Sequence, residues 1–110
     1  MIRHVFRAAV VVAALSTSAA AQRTYVYTTI AYPGADMTRG ISINDSGTVV
    51  GNYCIKGESI CHGFSYNGGV YTNIDVPGEP QTIITSINNA GTLTGYFEYP
   101  PQGVGKGFVI

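Results

Sequence analysis

A polar turn between two strand-like runs occurs twice in this chain. The stretch SINDSGTVVGNY begins at Ser42, and the stretch SINNAGTLTGYF begins 44 residues later, at Ser86. Comparing residues 27–66 with the residues 44 positions further on needs no gap and gives 14 identities in 40 comparisons, where chance would supply only a few. The sequence therefore contains two copies of one unit, and the fold must accommodate both.

The residue types within each copy indicate β-strands. Ile41 and Ile43 alternate with polar neighbours, which is the period of two expected of a half-buried strand. Val-, Thr- and Tyr-rich runs are typical of strands, and the Gly, Pro and Asn residues between them favour turns. No window after residue 21 has the apolar spacing of an amphipathic helix. The predicted strands are Thr38–Asn44, Thr48–Tyr53, His62–Tyr66, Val70–Val76 and, by the repeat, Thr24–Tyr32.

The repeat length favours a propeller-like architecture. We expect an all-β fold of eight strands, arranged as two tandem four-stranded antiparallel units at about 27–70 and 71–110. A period of 44 residues fits the ~40–45 residues of a β-propeller blade. Because a propeller usually needs four to eight blades, two units cannot close a ring. Copies of the chain could assemble, the chain could be part of a longer array, or the strands could close as a small sandwich or barrel.

The first 21 residues have the composition of a secretory signal peptide. A basic head with Arg3 and Arg7 precedes the apolar run Ala8–Leu15, and small residues end at Ala21. This apolar run is far shorter than the ~20 residues that span a bilayer. We expect cleavage after Ala21, a single all-β domain over 22–110, and a periplasmic or extracellular location in a bacterium.

Removing this segment leaves four basic and six acidic residues, a net charge of about −2. No basic cluster remains, whereas nucleic acids and anionic membranes require a basic face. We therefore expect no nucleic-acid partner and no membrane span in the mature chain. A domain of this size buries only ~60–65% of its unfolded surface, so a covalent link would help to stabilise the fold.

Cys54 and Cys61 flank the stretch IKGESI between two predicted strands. In an oxidising compartment such a pair is normally bonded. Closing about eight residues contributes roughly 2–3 kcal/mol by the chain-entropy relation. A redox role is disfavoured, because the sequence has no Cys-x-x-Cys motif and no helix that would lower a thiol pKa. We predict a structural disulfide.

Three elements recur in a fixed order: a Pro-Gly bend, an Ile-Asn-x-x-Gly-x-x-x-Gly turn, and a triplet that reads HGF at residues 62–64. This order resembles the HAF family of bacterial extracellular repeats, named after a His-Ala-Phe triplet that reads His-Gly-Phe in many members. The resemblance covers about residues 27–110, although the second triplet reads KGF at residues 106–108. It implies an exported repeat protein and supplies no catalytic residues.

Metal and catalytic sites find little support in the residue pattern. Zinc needs four tetrahedral positions, and Cys54, Cys61 and His62 lack an evident further donor. Calcium needs six or more oxygens, and the turn carboxylate of Asp45 is replaced by Asn89 in the second copy. No acid recurs as an acid at its partner position, and no nucleophile elbow surrounds a serine. We predict no metal, no cofactor and no catalytic residue.

Tyrosines are the remaining candidates for ligand contact, because exposed rings can stack on sugars or anchor a protein partner. We therefore predict an exported non-enzymatic module that binds or scaffolds at the cell exterior, with carbohydrate or an extracellular protein as partner and self-association left open. The alternatives are a secreted polysaccharide-active hydrolase or lyase and a truncated fragment of a longer repeat protein. The candidate contact residues are Tyr32, Tyr66, Tyr96, Tyr99 and His62.

Overall fold

The computed structural model of the chain describes residues 23–99 and 103–110. These residues contain seven strands and no helix. β1 to β4 form a four-stranded sheet in chain order, and β5 to β7 form a three-stranded sheet, with every pairing antiparallel. We call these the first and the second sheet. The strands are β1 Met37–Ile43, β2 Val49–Cys54, β3 Cys61–Asn67, β4 Val70–Ile74, β5 Gln81–Ile87, β6 Leu93–Tyr99 and β7 Val104–Val109.

The all-β prediction is confirmed, and the four predicted strands of the first unit agree with β1–β4 to within two residues at each end. The prediction of a strand over Thr24–Tyr32 is wrong, since this segment forms no strand pairing with any other described residue, and the described strands number seven rather than eight. A strand requires a partner for its backbone groups, and strand-like residues alone do not supply one. The barrel alternative is also wrong, because the two sheets stay separate. The predicted signal peptide lies outside the described residues.

The two sheets repeat their irregularities at the spacing of the sequence repeat. The register between β1 and β2 shifts between Gly40 and Ser42, and the register between β5 and β6 shifts between Ile84 and Ser86. Each pair of positions is related by 44 residues. A β-bulge at this point increases the local twist of a strand. Both sheets are therefore bent at the same position of the unit.

The turn after the bulge repeats as well. The Oδ1 atom of Asn44 accepts a hydrogen bond from the backbone N–H of Thr48 at 3.0 Å, and Asn88 accepts one from Thr92 at 2.9 Å. Gly47 adopts a φ of 78° in this turn, a conformation that glycine reaches without steric cost. The Asn-x-x-Gly pattern is thus explained by an Asx side chain that closes the turn and a glycine that permits it.

The second sheet packs against one face of the first sheet, here called the inner face, through β5. Val50 of β2, Ile84 of β5 and Leu93 of β6 form the buried core. Asn52 joins the sheets, since its Nδ2 donates to the carbonyl of Ile84 at 3.2 Å and its Oδ1 accepts from the Ile84 N–H at 2.8 Å. A Cβ on Gly63 would lie 2.7 Å from the Ile84 side chain. Glycine at the centre of the HGF triplet therefore permits the close approach of the two sheets.

Candidate functional site

The opposite face of the first sheet, here called the aromatic face, carries Tyr53, Phe64, Tyr66 and Tyr71. These residues share one face because side chains alternate along a strand and the register aligns them across β2, β3 and β4. Tyr32 covers them, with its ring centroid 3.7 Å from that of Tyr53 and the planes 3° apart. Phe64 is fully buried and Tyr53 is 6% exposed, whereas the other three rings are half-buried. The half-buried rings are the ones that a ligand can reach.

His62 lies at the edge of this face and stacks on Tyr53, with ring centroids 5.1 Å apart. Its Nε2 is 2.9 Å from Glu58 Oε2, and its Nδ1 is 3.1 Å from both carboxylate oxygens of Asp75. Burial alone would lower the pKa of His62, but hydrogen bonds to the two carboxylates and their negative charge outweigh burial and raise it. His62 is thereby favoured in its charged form between two acids.

The hydrogen bonds continue from the histidine to the buried tyrosine. Asn73 donates through Nδ2 to Asp75 Oδ2 at 2.9 Å and accepts the hydroxyl hydrogen bond of Tyr53. Burial, followed by the hydroxyl of Tyr32, raises the pKa of Tyr53 well above its usual range. The phenol therefore stays neutral and acts as a donor to Asn73. A continuous network links Tyr53, Asn73, Asp75 and His62 along the rim of the aromatic face.

The network constrains what His62 can do chemically. A general base needs a ring nitrogen within hydrogen-bond reach of the substrate proton. Both ring nitrogens of His62 already face carboxylates, and neither contact involves a serine or a cysteine. The arrangement is instead typical of an orienting cross-link, because it fixes the imidazole and presents carboxylate and amide oxygens beside aromatic rings.

A disulfide holds the loop that supplies Glu58. Cys54 ends β2, Cys61 begins β3, and the two lie opposite each other in the register with Cα atoms 4.4 Å apart. The loop is also anchored at Asp36, whose N–H donates to the Cys54 carbonyl at 3.0 Å and whose carboxylate accepts from the N–H of Lys56. The pair is disulfide-bonded as expected, and the link restricts the position of one carboxylate beside His62.

Asp45, in the turn between β1 and β2, forms hydrogen bonds with the equivalent turn of the second unit. Asp45 Oδ2 accepts a hydrogen bond from Asn89 Nδ2 at 2.8 Å, and the Asp45 N–H donates to Asn89 Oδ1 at 2.8 Å. Asn44 Nδ2 also donates to the Asn88 carbonyl at 3.2 Å. The loss of the carboxylate in the second copy is thus explained, since an amide at position 89 pairs with the acid at position 45. Within residues 23–99 and 103–110, no group of three or more His, Cys, Asp or Glu side chains could hold a metal ion.

The structure brings together only part of the predicted contact set. Tyr32, Tyr66 and His62 lie on or beside the aromatic face, whereas Tyr96 and Tyr99 belong to β6 in the second sheet. The two β6 tyrosines are 39% and 42% exposed and, three residues apart, point to opposite faces of that sheet. A hydrogen bond to the Glu79 carboxylate raises the pKa of Tyr99. The five candidates therefore do not form one site.

Several residues on or beside the aromatic face were not singled out from the sequence, among them Tyr71, Asn73, Asp75 and Glu58. The position of Asp75 could have been inferred from the sequence. The turn at Asn67–Gly69 pairs residue 67 with residue 70 and so sets the register of β3 and β4. Extending that register places Asp75 opposite His62. Glu58 offered no comparable signal, because its position depends on the conformation of a loop.

Comparison with known proteins returns no match: no family model, no curated protein and no solved structure resembles the chain significantly. Among the described residues, no helix has the length and apolar character needed to cross a membrane.

Proposed function

We propose that this chain is an exported, non-enzymatic β-repeat module that binds carbohydrate outside the cytoplasm. The observation that carries the proposal is the aromatic face, where the half-buried rings of Tyr66 and Tyr71 lie on the same side of the sheet as His62 and Asn73. Sugars are recognised by aromatic rings that cover their C–H surfaces and by planar polar groups that bond their hydroxyls. This face offers both kinds of group.

The role of His62 supports binding over catalysis. Its two nitrogens are engaged by Glu58 and Asp75, which favours a fixed hydrogen-bonding surface. The charged His62 is paired with Glu58 and Asp75, so the rim can contact a neutral ligand without burying an unpaired charge. The cell-exterior location is supported by the N-terminal sequence, by the Cys54–Cys61 disulfide and by the resemblance to exported HAF repeats.

We also propose that the two units are propeller-blade-like. Four antiparallel strands in simple chain order within about 44 residues are typical of a blade. The face-to-face packing of the second sheet on the first supports the same interpretation, because neighbouring blades pack in that way.

A glycan array followed by titration calorimetry tests the binding proposal. We expect saturable binding of at least one glycan, with no release of product, and at least a tenfold loss of affinity in Tyr66→Ala. The matched control is Tyr96→Ala, which removes a half-exposed tyrosine from the second sheet and should leave affinity unchanged. Near-UV circular dichroism checks that both variants fold.

Two outcomes would contradict the proposal. Absence of binding to every glycan on the array would exclude carbohydrate as the ligand. Turnover of a bound glycan that is lost in Asp75→Asn would favour the hydrolase or lyase alternative.

A further inference from the structure

A cleft with a volume of about 260 Å³ lies where the inner face of the first sheet meets the edge strand β5 of the second sheet. One wall contains Met37 and Arg39 of β1, and Arg39 projects from the inner face because it pairs directly with Asn52. The other wall contains Ile83 and Tyr96, which pair across β5 and β6. No residue of the aromatic face lines this cleft. The cleft is therefore separate from the surface proposed to bind carbohydrate.

The cleft has a positive charge that no described acid neutralises. Arg39 is the one charged residue among the described residues that line it. Both ion pairs of the described residues involve His62, so Arg39 forms none with a described carboxylate. Glu98, two residues beyond Tyr96, instead accepts a hydrogen bond from Gln81. Because the planar guanidinium binds a carboxylate through two parallel hydrogen bonds, Arg39 can receive a ligand carboxylate without first breaking an internal ion pair.

The surface around Arg39 is mostly apolar. Met37 and Ile41 on β1 are 37% and 49% exposed although their side chains are apolar. Ile83 is half-buried, and Tyr96 adds an aromatic ring that is 39% exposed. Covering such surface with the carbon body of a ligand is favourable because it removes apolar area from water. The cleft thus combines one cation with apolar and aromatic contact area.

The other polar groups of the cleft already have hydrogen-bond partners. Asn52 uses its amide nitrogen and its amide oxygen to bond the backbone of Ile84. The Thr85 hydroxyl is 3.2 Å from the carbonyl oxygen of Thr94 and donates to it. A sugar acid would bring several hydroxyls into this cleft, and hydroxyls that lose water without gaining a partner oppose binding. The lining therefore favours a carboxylate with an apolar body over an acidic sugar.

The lining also departs from the sequence repeat. None of the residues that line the cleft is identical to the residue at the equivalent position of the other unit, and Arg39 corresponds to Ile83 while Asn52 corresponds to Tyr96. The turn residues Asn44 and Gly47, in contrast, are identical in both copies. Positions that the fold of the unit requires are retained in both copies. The composition of the cleft is therefore not explained by the fold of the unit.

We infer that this cleft binds a small carboxylate with an apolar, single-ring body, such as an arylalkanoate. The carboxylate is held by Arg39, and the ring lies between Met37, Ile83 and Tyr96. A single ring suits the volume, which is below the ~300–1,000 Å³ of sites for drug-sized ligands. The inference goes beyond the proposed carbohydrate binding, because it assigns a second ligand class to a second site.

Titration of the purified protein with phenylacetate, followed by amide NMR spectroscopy, tests this inference. We expect saturable shifts of the Arg39, Ile83 and Tyr96 amides, with a dissociation constant on the order of 1 mM for so small a ligand in an open cleft. Phenylacetamide has nearly the same shape without the charge and should bind at least threefold more weakly. The affinity for phenylacetate should also fall at least threefold in Arg39→Gln.

The matched control is Lys106→Gln, which removes one positive charge from an exposed position of β7 outside the cleft and should leave the affinity for phenylacetate unchanged. Arg39 is itself exposed, so Arg39→Gln should fold, as near-UV circular dichroism can verify.

Three results would overturn the inference: no saturable shift of the cleft amides, equal affinity for phenylacetate and phenylacetamide, or an affinity that Arg39→Gln leaves unchanged. Tighter binding of glucuronate than of phenylacetate would overturn it in favour of an acidic sugar. Glycan binding at the aromatic face is measured separately and should be the same in Arg39→Gln and in the wild type. Failure of this inference is therefore distinguishable from failure of the proposed function.

Discussion

Ile43 and Ile87 occupy the same position in the two units, yet their surroundings differ. Ile43 is 64% exposed, whereas Ile87 packs against the core of Val50, Ile84 and Leu93. The difference arises because, within the described part of the chain, a sheet lies in front of Ile87 and none lies in front of Ile43. Burial at this position is thus determined by the neighbouring sheet and not by the unit itself.

For the phenylalanine pair the difference in burial is reversed, and the residue of the first unit is the more buried one. Phe64 is fully buried under Tyr32 and Tyr53, while its counterpart Phe108 is only half-buried against the core. The first unit therefore derives more stability from its aromatic face, and the second unit derives more from the contact between the sheets. This division can be tested by changing equivalent residues in the two units.

The largest expected effect is at the phenylalanine pair. Phe64→Ala should lower the free energy of unfolding by about 3–5 kcal/mol, because it removes a fully buried ring and leaves a cavity. Phe108→Ala should cost clearly less, since part of that ring is already in contact with water. Urea denaturation with an unchanged m-value measures both. Equal losses in the two variants would refute the proposed division of stability.

Removing the disulfide should have the next largest effect. Only the first unit has this link, because Glu98 and Gly105 occupy the equivalent positions in the second unit. Replacing Cys54 and Cys61 together by Ser should lower the free energy of unfolding by roughly 2–3 kcal/mol, because the unfolded chain regains the entropy of an open loop. Reductant should lower the melting temperature of the wild type and leave that of the double variant unchanged. Two reactive thiols in the native protein would exclude the disulfide.

The smallest expected effect concerns pH. The pKa of His62 is raised in the folded state, so its ion pairs stabilise the fold fully below the ordinary histidine pKa of about 6.5. This contribution is lost as pH rises through the higher folded pKa. Because Glu58 and Asp75 are 44% and 36% exposed, we expect less than about 1 kcal/mol. In the wild type, the urea concentration at the unfolding midpoint should decrease as the pH is raised from weakly acidic to weakly alkaline. The decrease should be smaller in His62→Gln.

The strands of the first unit could be predicted from the sequence because their signals are local. Alternation around Ile43 and the Asn-x-x-Gly turn each specify structure over a few residues. The Thr24–Tyr32 prediction was wrong because strand pairing is not a local property. It depends on a neighbouring strand, which residue propensity does not reveal. Similarity to β4 indicates the strand propensity of the segment and does not supply a pairing partner.

The candidate site was less predictable than the fold. His62 was singled out, but its partner Asp75 is placed by the register of β3 and β4, and Glu58 is placed by a disulfide-closed loop. Tyr53 could not be recognised as buried, because its cover comes from Tyr32, in a connection 21 residues earlier. Sites assembled from loops and cross-strand neighbours require the tertiary structure.

The packing of the second sheet on the first is tested most directly by amide hydrogen exchange at Ile84. Its N–H donates to the side chain of Asn52 in the other sheet, so exchange reports the contact between sheets separately from the pairing of β5 with β6. We predict that the Ile84 amide exchanges as slowly as the most protected amides of β2 and at least tenfold faster in Asn52→Ala. Rapid exchange in the wild type, or a rate that Asn52→Ala leaves unchanged, would contradict the packing described above.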